Sequence, residues 1–145
     1  MTNVQRIIVA IGSGSMVLGV MCFMFNFSGT RPDNLGVTNG SLKPCPGTPN
    51  CVCSQSDRPE AKVAPLPAVS MDKLRQVVEG MDGSSIVEQT DNYLYAEFKT
   101  KLMGFVDDVE FYHDGTAIQV RSASRLGKSD LGVNSKRVEE IRNAL

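Results

Sequence analysis

In "SLKPCPGTPNCVCSQS", from Ser41 to Ser56, three of the chain's four cysteines, Cys45, Cys51 and Cys53, fall within nine residues and sit among three prolines. Four roles suit such a cluster: metal ligands, a disulfide, a reactive thiol or apolar filler. Zinc takes about four soft ligands, and the single histidine, His113, lies far along the chain beside an expected turn, so no metal site is read here and His113 is read as a turn residue. A Cys45–Cys51 bridge would close a short ring worth about 2 kcal/mol, whereas a Cys51–Cys53 bridge would be cramped, so one thiol is left over. Disulfides persist outside the reducing cytosol, so the bridge depends on compartment. Unpaired structural cysteines and redox chemistry stand as the alternatives.

A second concentration of polar groups lies toward the C-terminus. "RSASRLGKSDLGVN" packs Arg121, Ser122, Ser124, Arg125, Ser129, Asp130 and Asn134 into fourteen residues, preceded by Asp107, Asp108 and Glu110 in "FVDDVEF". That is more hydrogen-bonding capacity than a strand-to-helix connection uses. Arginine is the bidentate partner of carboxylates and phosphates, so one reading is a small-anion or catalytic pocket built from Asp107, Asp108, Arg121 and Arg125. The other is a structural network in which Arg125 and its neighbours satisfy Asp107 and loop carbonyls. No serine here has a histidine base, which argues against a hydrolase triad, and no cofactor is called for.

The elements that must position these groups are legible from periodicity. Met71, Leu74, Val78 and Met81 recur at helical spacing behind Ser70 as N-cap and before Gly83, predicting a helix from about Met71 to Asp82 whose methionines belong to the core. "SSIVEQT", "YLYAEFKTK", "FVDDVEFYH" and "TAIQVRSAS" read as three or four strands. "NSKRVEEIRNAL" puts Val138, Ile141 and Leu145 on one helical stripe behind an Asn134 cap. Helix, antiparallel meander, helix describes an α+β fold with the helices against one sheet face. A two-residue turn at Asp114 and Gly115 would set Phe111 across from Ile118 and Val109 across from Val120, with Asp108 facing Arg121 and Glu110 facing Gln119 on the exposed polar side. Asp107 then shares the apolar face and is costly there without a donor such as Arg125 or Ser122.

The N-terminus has a different composition. From Ile7 to Phe25 nineteen residues carry no charge, which as a helix matches a hydrocarbon core of about 30 Å. A cleaved signal peptide has an apolar region of about 7 to 15 residues and a small-x-small site, which "NFSG" matches poorly, so the stretch predicts a retained anchor. Met21 before Cys22 is unsuited to a lipoprotein signal, which leaves Cys22 as apolar filler. Arg6 lies before the span, so the N-terminus is expected in the cytoplasm and the body in a periplasm or lumen, at an inner or thylakoid-type membrane. Gly12, Ser15 and Gly19 form a strip of small residues that would admit a partner helix. All seven prolines lie from Pro32 to Pro67, so an irregular arm follows the span. The organisation expected is 1–28 membrane anchor, 29–69 arm and 70–145 compact body. A net charge of −1 gives no reason to expect nucleic acid as a partner.

Together "FSGTRPDNLGV", "LKPCPGTPNCVCSQ", "GFVDDVEF" and "VRSASRLGKSDLGVNSKRVEEIR" resemble the domain-of-unknown-function family fourteen ninety-nine of bacteria and of plant and algal plastids. The resemblance covers about Phe27 to Leu145 and implies a small domain, often anchored to a membrane or exported; it supplies no catalytic residues. The positions it carries over are Cys45, Pro46, Pro49, Asn50 and Cys51, then Asp107, Asp108 and Glu110, then Arg121, Ser122, Arg125, Asp130, Asn134 and Arg137. The chain departs from it at Cys53, where serine is usual, and at Lys128, where an aromatic is common. The first departure marks Cys53 as the odd thiol. Two functions follow as expectations: an accessory or assembly subunit that docks to a membrane protein complex through the arm or the Gly12, Ser15 and Gly19 strip, and, as the alternative, the small-anion or catalytic pocket.

Overall fold

The computed structural model describes residues 27–145, and the Ile7–Phe25 span, with Gly12, Ser15, Gly19 and Cys22, lies outside the described residues. Among the described residues no helix is long and apolar enough to cross a membrane. The elements are β1 (Cys51–Cys53), α1 (Met71–Glu79), β2 (Ser84–Gln89), β3 (Tyr93–Lys99), β4 (Val106–His113), β5 (Ile118–Ser124) and α2 (Val133–Ala144). The strands form one antiparallel sheet in the order β1-β5-β4-β3-β2. The fold is therefore α+β, but with five strands rather than three or four. The extra strand, "CVC", comes from the arm: it pairs Cys51 with Ala123 and Cys53 with Arg121. Farther on, Leu66 exchanges two backbone hydrogen bonds with Ile118, at 2.8 and 3.1 Å. The arm thus closes the β5 edge, which would otherwise present unpaired N–H and C=O groups.

Strand alternation sorts the side chains onto two faces. Leu94, Ala96, Phe98, Val109, Phe111, Ile118 and Val120 face both helices and pack with Met71, Leu74 and Val78 of α1 and Val138 and Ile141 of α2. Each fully buried Leu, Ile, Val or Phe among them contributes about 1.5–3 kcal/mol relative to exposure. The Ser70 hydroxyl accepts from the Lys73 N–H at 3.2 Å, so α1 starts where expected; it stops at Glu79, three residues before the expected end, with Gly80 as C-cap. Gly83 then turns the chain at φ +75°, in a space so close to β3 that an added β-carbon would stand 2.3 Å from the Lys99 carbonyl oxygen.

Two expectations need correction. The β4–β5 connection is not a two-residue turn: His113 pairs with Ile118, and the loop between them is organised by the Asp114 carboxylate, which accepts from the Thr116 and Ala117 N–H groups at 2.8 and 2.9 Å. The register therefore slips by two, so Phe111 faces Val120, Val109 faces Ser122, Glu110 faces Arg121 and Asp108 faces Ala123. Because the slip is even, every side chain keeps its predicted face. Asn134 is not the cap of α2 but lies inside it, fully buried. The capping acceptor is Asp130, whose carboxylate takes the N–H groups of Gly132 at 3.0 Å and Asn134 at 2.9 Å.

Candidate functional site

The nine site candidates divide between the two faces of the sheet. On the helix face Asp107 is buried, as its place among apolar residues implies, but its donor is Arg137 of α2 at 2.7 Å rather than Arg125. Arg137 also donates to the Ser122 hydroxyl at 3.0 Å and to the Asn134 side-chain oxygen at 2.6 Å, and its guanidinium lies 4.6 Å from the Phe98 ring centroid. Asn134 gives its amide protons to Asp130 at 2.7 Å, Ser124 at 3.0 Å and the Asn50 carbonyl at 3.3 Å. Asn50 in turn donates to the Gly127 carbonyl at 2.8 Å. The cysteine motif and the serine- and arginine-rich segment are thereby one hydrogen-bonded unit. Burial pushes the Asp130 carboxyl up, but the Asn134 and Gly132 N–H groups outweigh it and hold the carboxyl below its usual range.

On the opposite face the polar residues are buried rather than solvated, because the arm lies over them. Leu42 and Leu35 pack on Tyr93, Tyr95 and Tyr112. Asp108 is 2% exposed; its partner is Arg125, through Nε at 2.9 Å and Nη2 at 2.7 Å, and not Arg121. The Tyr95 hydroxyl also donates to Asp108, at 2.5 Å. Arg125 continues to Glu97, which Arg31 of the arm reaches at 2.7 Å. Glu110, completely buried, accepts from the Tyr93 hydroxyl at 2.9 Å, from the Gly36 backbone N–H at 2.7 Å and from Arg121 at 3.5 Å. Three carboxylates thus meet the buried guanidiniums of Arg121 and Arg125 beneath the arm and the exposed one of Arg31 on it, and the charges balance. Burial, reinforced by Asp108 for Tyr95 and by Glu110 for Tyr93, raises both phenols well above their usual range, so they stay neutral donors. The hydrogen bonds that Arg125 donates to Asp108 raise Arg125 as well.

The four residues of the pocket reading are therefore not together: Asp107 is on the helix face, and Asp108, Arg121 and Arg125 are under the arm. Tyr93, Tyr95, Glu97, Arg31 and Gly36 were not singled out from the sequence. A signal existed for three of them, since Tyr93, Tyr95 and Glu97 alternate along β3 and so must share the face of Asp108 and Glu110. Arg121 Nε is the one buried side-chain polar atom without a partner among the described residues.

The cysteine question resolves as a bridge between Cys45 and Cys51, with Cys53 free and buried. Burial raises the Cys53 thiol above its ordinary value, which leaves it unreactive. Among the described residues no group of His, Cys, Asp and Glu is placed to hold a metal ion. The molecule is thus a small sheet with helices on one face and a disulfide-closed arm sealing a charge network on the other. It belongs to the family of proteins of unknown function DUF1499, which matches residues 41–145. That match takes in the cysteine, Asp107 and Arg125 motifs and begins after Arg31 and Gly36. Neither a curated protein nor a solved structure matches the chain.

Proposed function

We propose that the protein is a membrane-anchored accessory or assembly subunit whose body, outside the cytoplasm, supports a membrane protein complex. The observation that carries this reading is that the candidate charges other than Arg121 are committed to partners within the chain. Asp107 and Arg137 match each other; Asp108 and Glu97 are matched by Arg125 and Arg31; and the arm's own Gly36 N–H occupies Glu110. Groups committed in this way hold a shape. The disulfide agrees with a body outside the reducing cytosol, and the uncharged Ile7–Phe25 stretch agrees with a single anchor. Purification of the full chain from its own membranes in mild detergent tests the proposal. A stoichiometric membrane protein that is lost on Gly12→Leu or Gly19→Leu is expected; a chain that purifies alone counts against it.

One observation favours a second reading, a small-anion site under the arm: the buried Arg121 has its Nε unpartnered and only a long 3.5 Å contact to Glu110. Native mass spectrometry of the full chain would show an anion that Arg121→Gln abolishes. A mass equal to the bare chain would dismiss this reading.

A further inference from the structure

Nine large apolar side chains are exposed among the described residues, and seven of them gather at one end of the sheet. That end is where β3 and β5 finish and β4 begins, so the β3–β4 loop and the β5–α2 loop lie side by side there. Leu102 stands at the tip of the first loop, 82% exposed, and Leu131 in the second, just before the α2 N-cap Gly132, 95% exposed. Leu131 is also held in the left-handed conformation, φ +54°, which a residue with a branched side chain adopts at an energetic cost. From the same two connections Phe105, Leu126 and Val133 line a shared cavity of about 200 Å³. Scattered apolar residues on a surface are ordinary; seven of nine on two neighbouring loops and the segment that meets them, three of them lining one cavity, are not.

What covers this patch is indicated by where the chain enters it. Phe27, the first described residue, stacks on Phe105 with ring centroids 5.4 Å apart, and its N–H donates to the Met103 carbonyl at 3.1 Å. Only Asn26 separates Phe27 from the nineteen uncharged residues Ile7–Phe25. If that stretch spans a bilayer, the two residues from Phe25 to Phe27 reach at most about 7 Å, so the membrane surface begins beside the Phe27–Phe105 pair. Lys101, bonded to Asp82 at 3.1 Å, and the exposed Lys128, one in each loop, put positive charge beside these apolar residues, where lipid headgroups would lie.

We infer that this end of the body lies on the lipid surface, with Leu102 and Leu131 inserted at the boundary between headgroups and acyl chains, so that the anchor and the two loops hold the sheet upright on the membrane. The inference rests on the anchored reading above. It fixes which face is free for a partner: the β2–β3 turn and the β4–β5 loop, at the opposite end, point away from the bilayer.

The chain has no tryptophan, so a single introduced one reports its surroundings. Full-length Leu102→Trp and Leu131→Trp, with Asp91→Trp in the β2–β3 turn as control, are reconstituted into vesicles of phosphatidylcholine and phosphatidylglycerol, with and without bromine-labelled acyl chains. Both replaced leucines are exposed, so folding does not depend on them. The two loop tryptophans should emit at shorter wavelength than the control and lose most of their emission to the brominated lipid, while Asp91→Trp keeps its own. If the chain resists alkaline extraction yet the loop tryptophans match the control, the lipid contact is wrong and a protein partner or a second copy takes the patch. Quenching of all three equally would also overturn it. If alkaline carbonate strips the chain from the vesicles, the anchored reading fails and the inference with it.

Discussion

At the scale of single residues, two buried ion pairs on opposite faces of β4 carry the sharpest expectations. Asp107 and Arg137 are each about nine-tenths buried, and Asp108 is more so beneath Arg125. Removing one member of such a pair strands the other, at a cost of about 3–5 kcal/mol. Asp107→Ala, Arg137→Ala and Asp108→Ala should therefore each lower the stability of the full chain by that amount in denaturant unfolding. Glu139→Ala, whose side chain bonds among the described residues only to Arg142, at the surface, should change it by less than about 1 kcal/mol. Equal small losses for all four would show that the networks do not order the body. Cys53 belongs to the same scale: enclosed and with its thiol raised, it should react with a thiol reagent only after unfolding, and fast labelling of the native chain would contradict the placement of β1. That Asp107 needs a donor was legible from alternation along β4. Which donor was not, because Arg137 follows thirty residues later and reaches it only through the docking of α2.

At the scale of elements, the β1 strand and its bridge do for the arm what the hydrophobic core does for the body. The ring closed by Cys45 and Cys51 is short, so its loss through Cys51→Ser should cost about 2 kcal/mol in chain entropy, with further loosening of the arm over Asp108 and Glu110. Mass mapping of unreduced peptides should recover the two joined, and free thiols at both positions would refute the bridge. Gly83 is the other element-scale test. Alanine there would be forced both into a left-handed turn and against the Lys99 carbonyl, so Gly83→Ala should destabilise the body by several kcal/mol, whereas Gly115→Ala, with no atom near its β-carbon, meets only the backbone cost of about 1 kcal/mol. The helix α1 and strands β2 to β5 were legible as periodic segments. The strand β1 was not, since three residues among prolines show no period of their own, and pairing to β5 is what makes them a strand.

At the scale of the whole molecule, the titrating groups set a pH window. Burial pushes Glu97 up, but Arg31 and Arg125 together outweigh it and hold the carboxyl below its usual range, as the backbone N–H groups do for Asp130. Groups lowered in the folded state contribute stability above their unfolded values, and that contribution disappears as pH falls below about 4. Tyr93 and Tyr95 are raised, so their contribution is complete below their ordinary value of about 10 and is lost as pH rises beyond it. Thermal unfolding should show a plateau between those limits and a fall on both sides, and the alkaline fall should shrink in Tyr95→Phe. For the proposed topology, a reporter fused after Leu145 should be active only outside the cytoplasm. Activity inside would reverse the orientation and leave the disulfide without an oxidising compartment.

The fold class, the helix-facing core, the family and the Cys45–Cys51 pair were all within reach of the sequence, because each rests on local periodicity or on motifs that are contiguous in the chain. The tertiary structure decided the rest: that the arm seals the second face, that Asp108 and Glu110 are buried under it, and that Asp107 answers to Arg137. Strand alternation assigns a side chain to a face. Whether that face meets water or another part of the chain depends on segments far away in sequence, and so does the partner each buried charge finds.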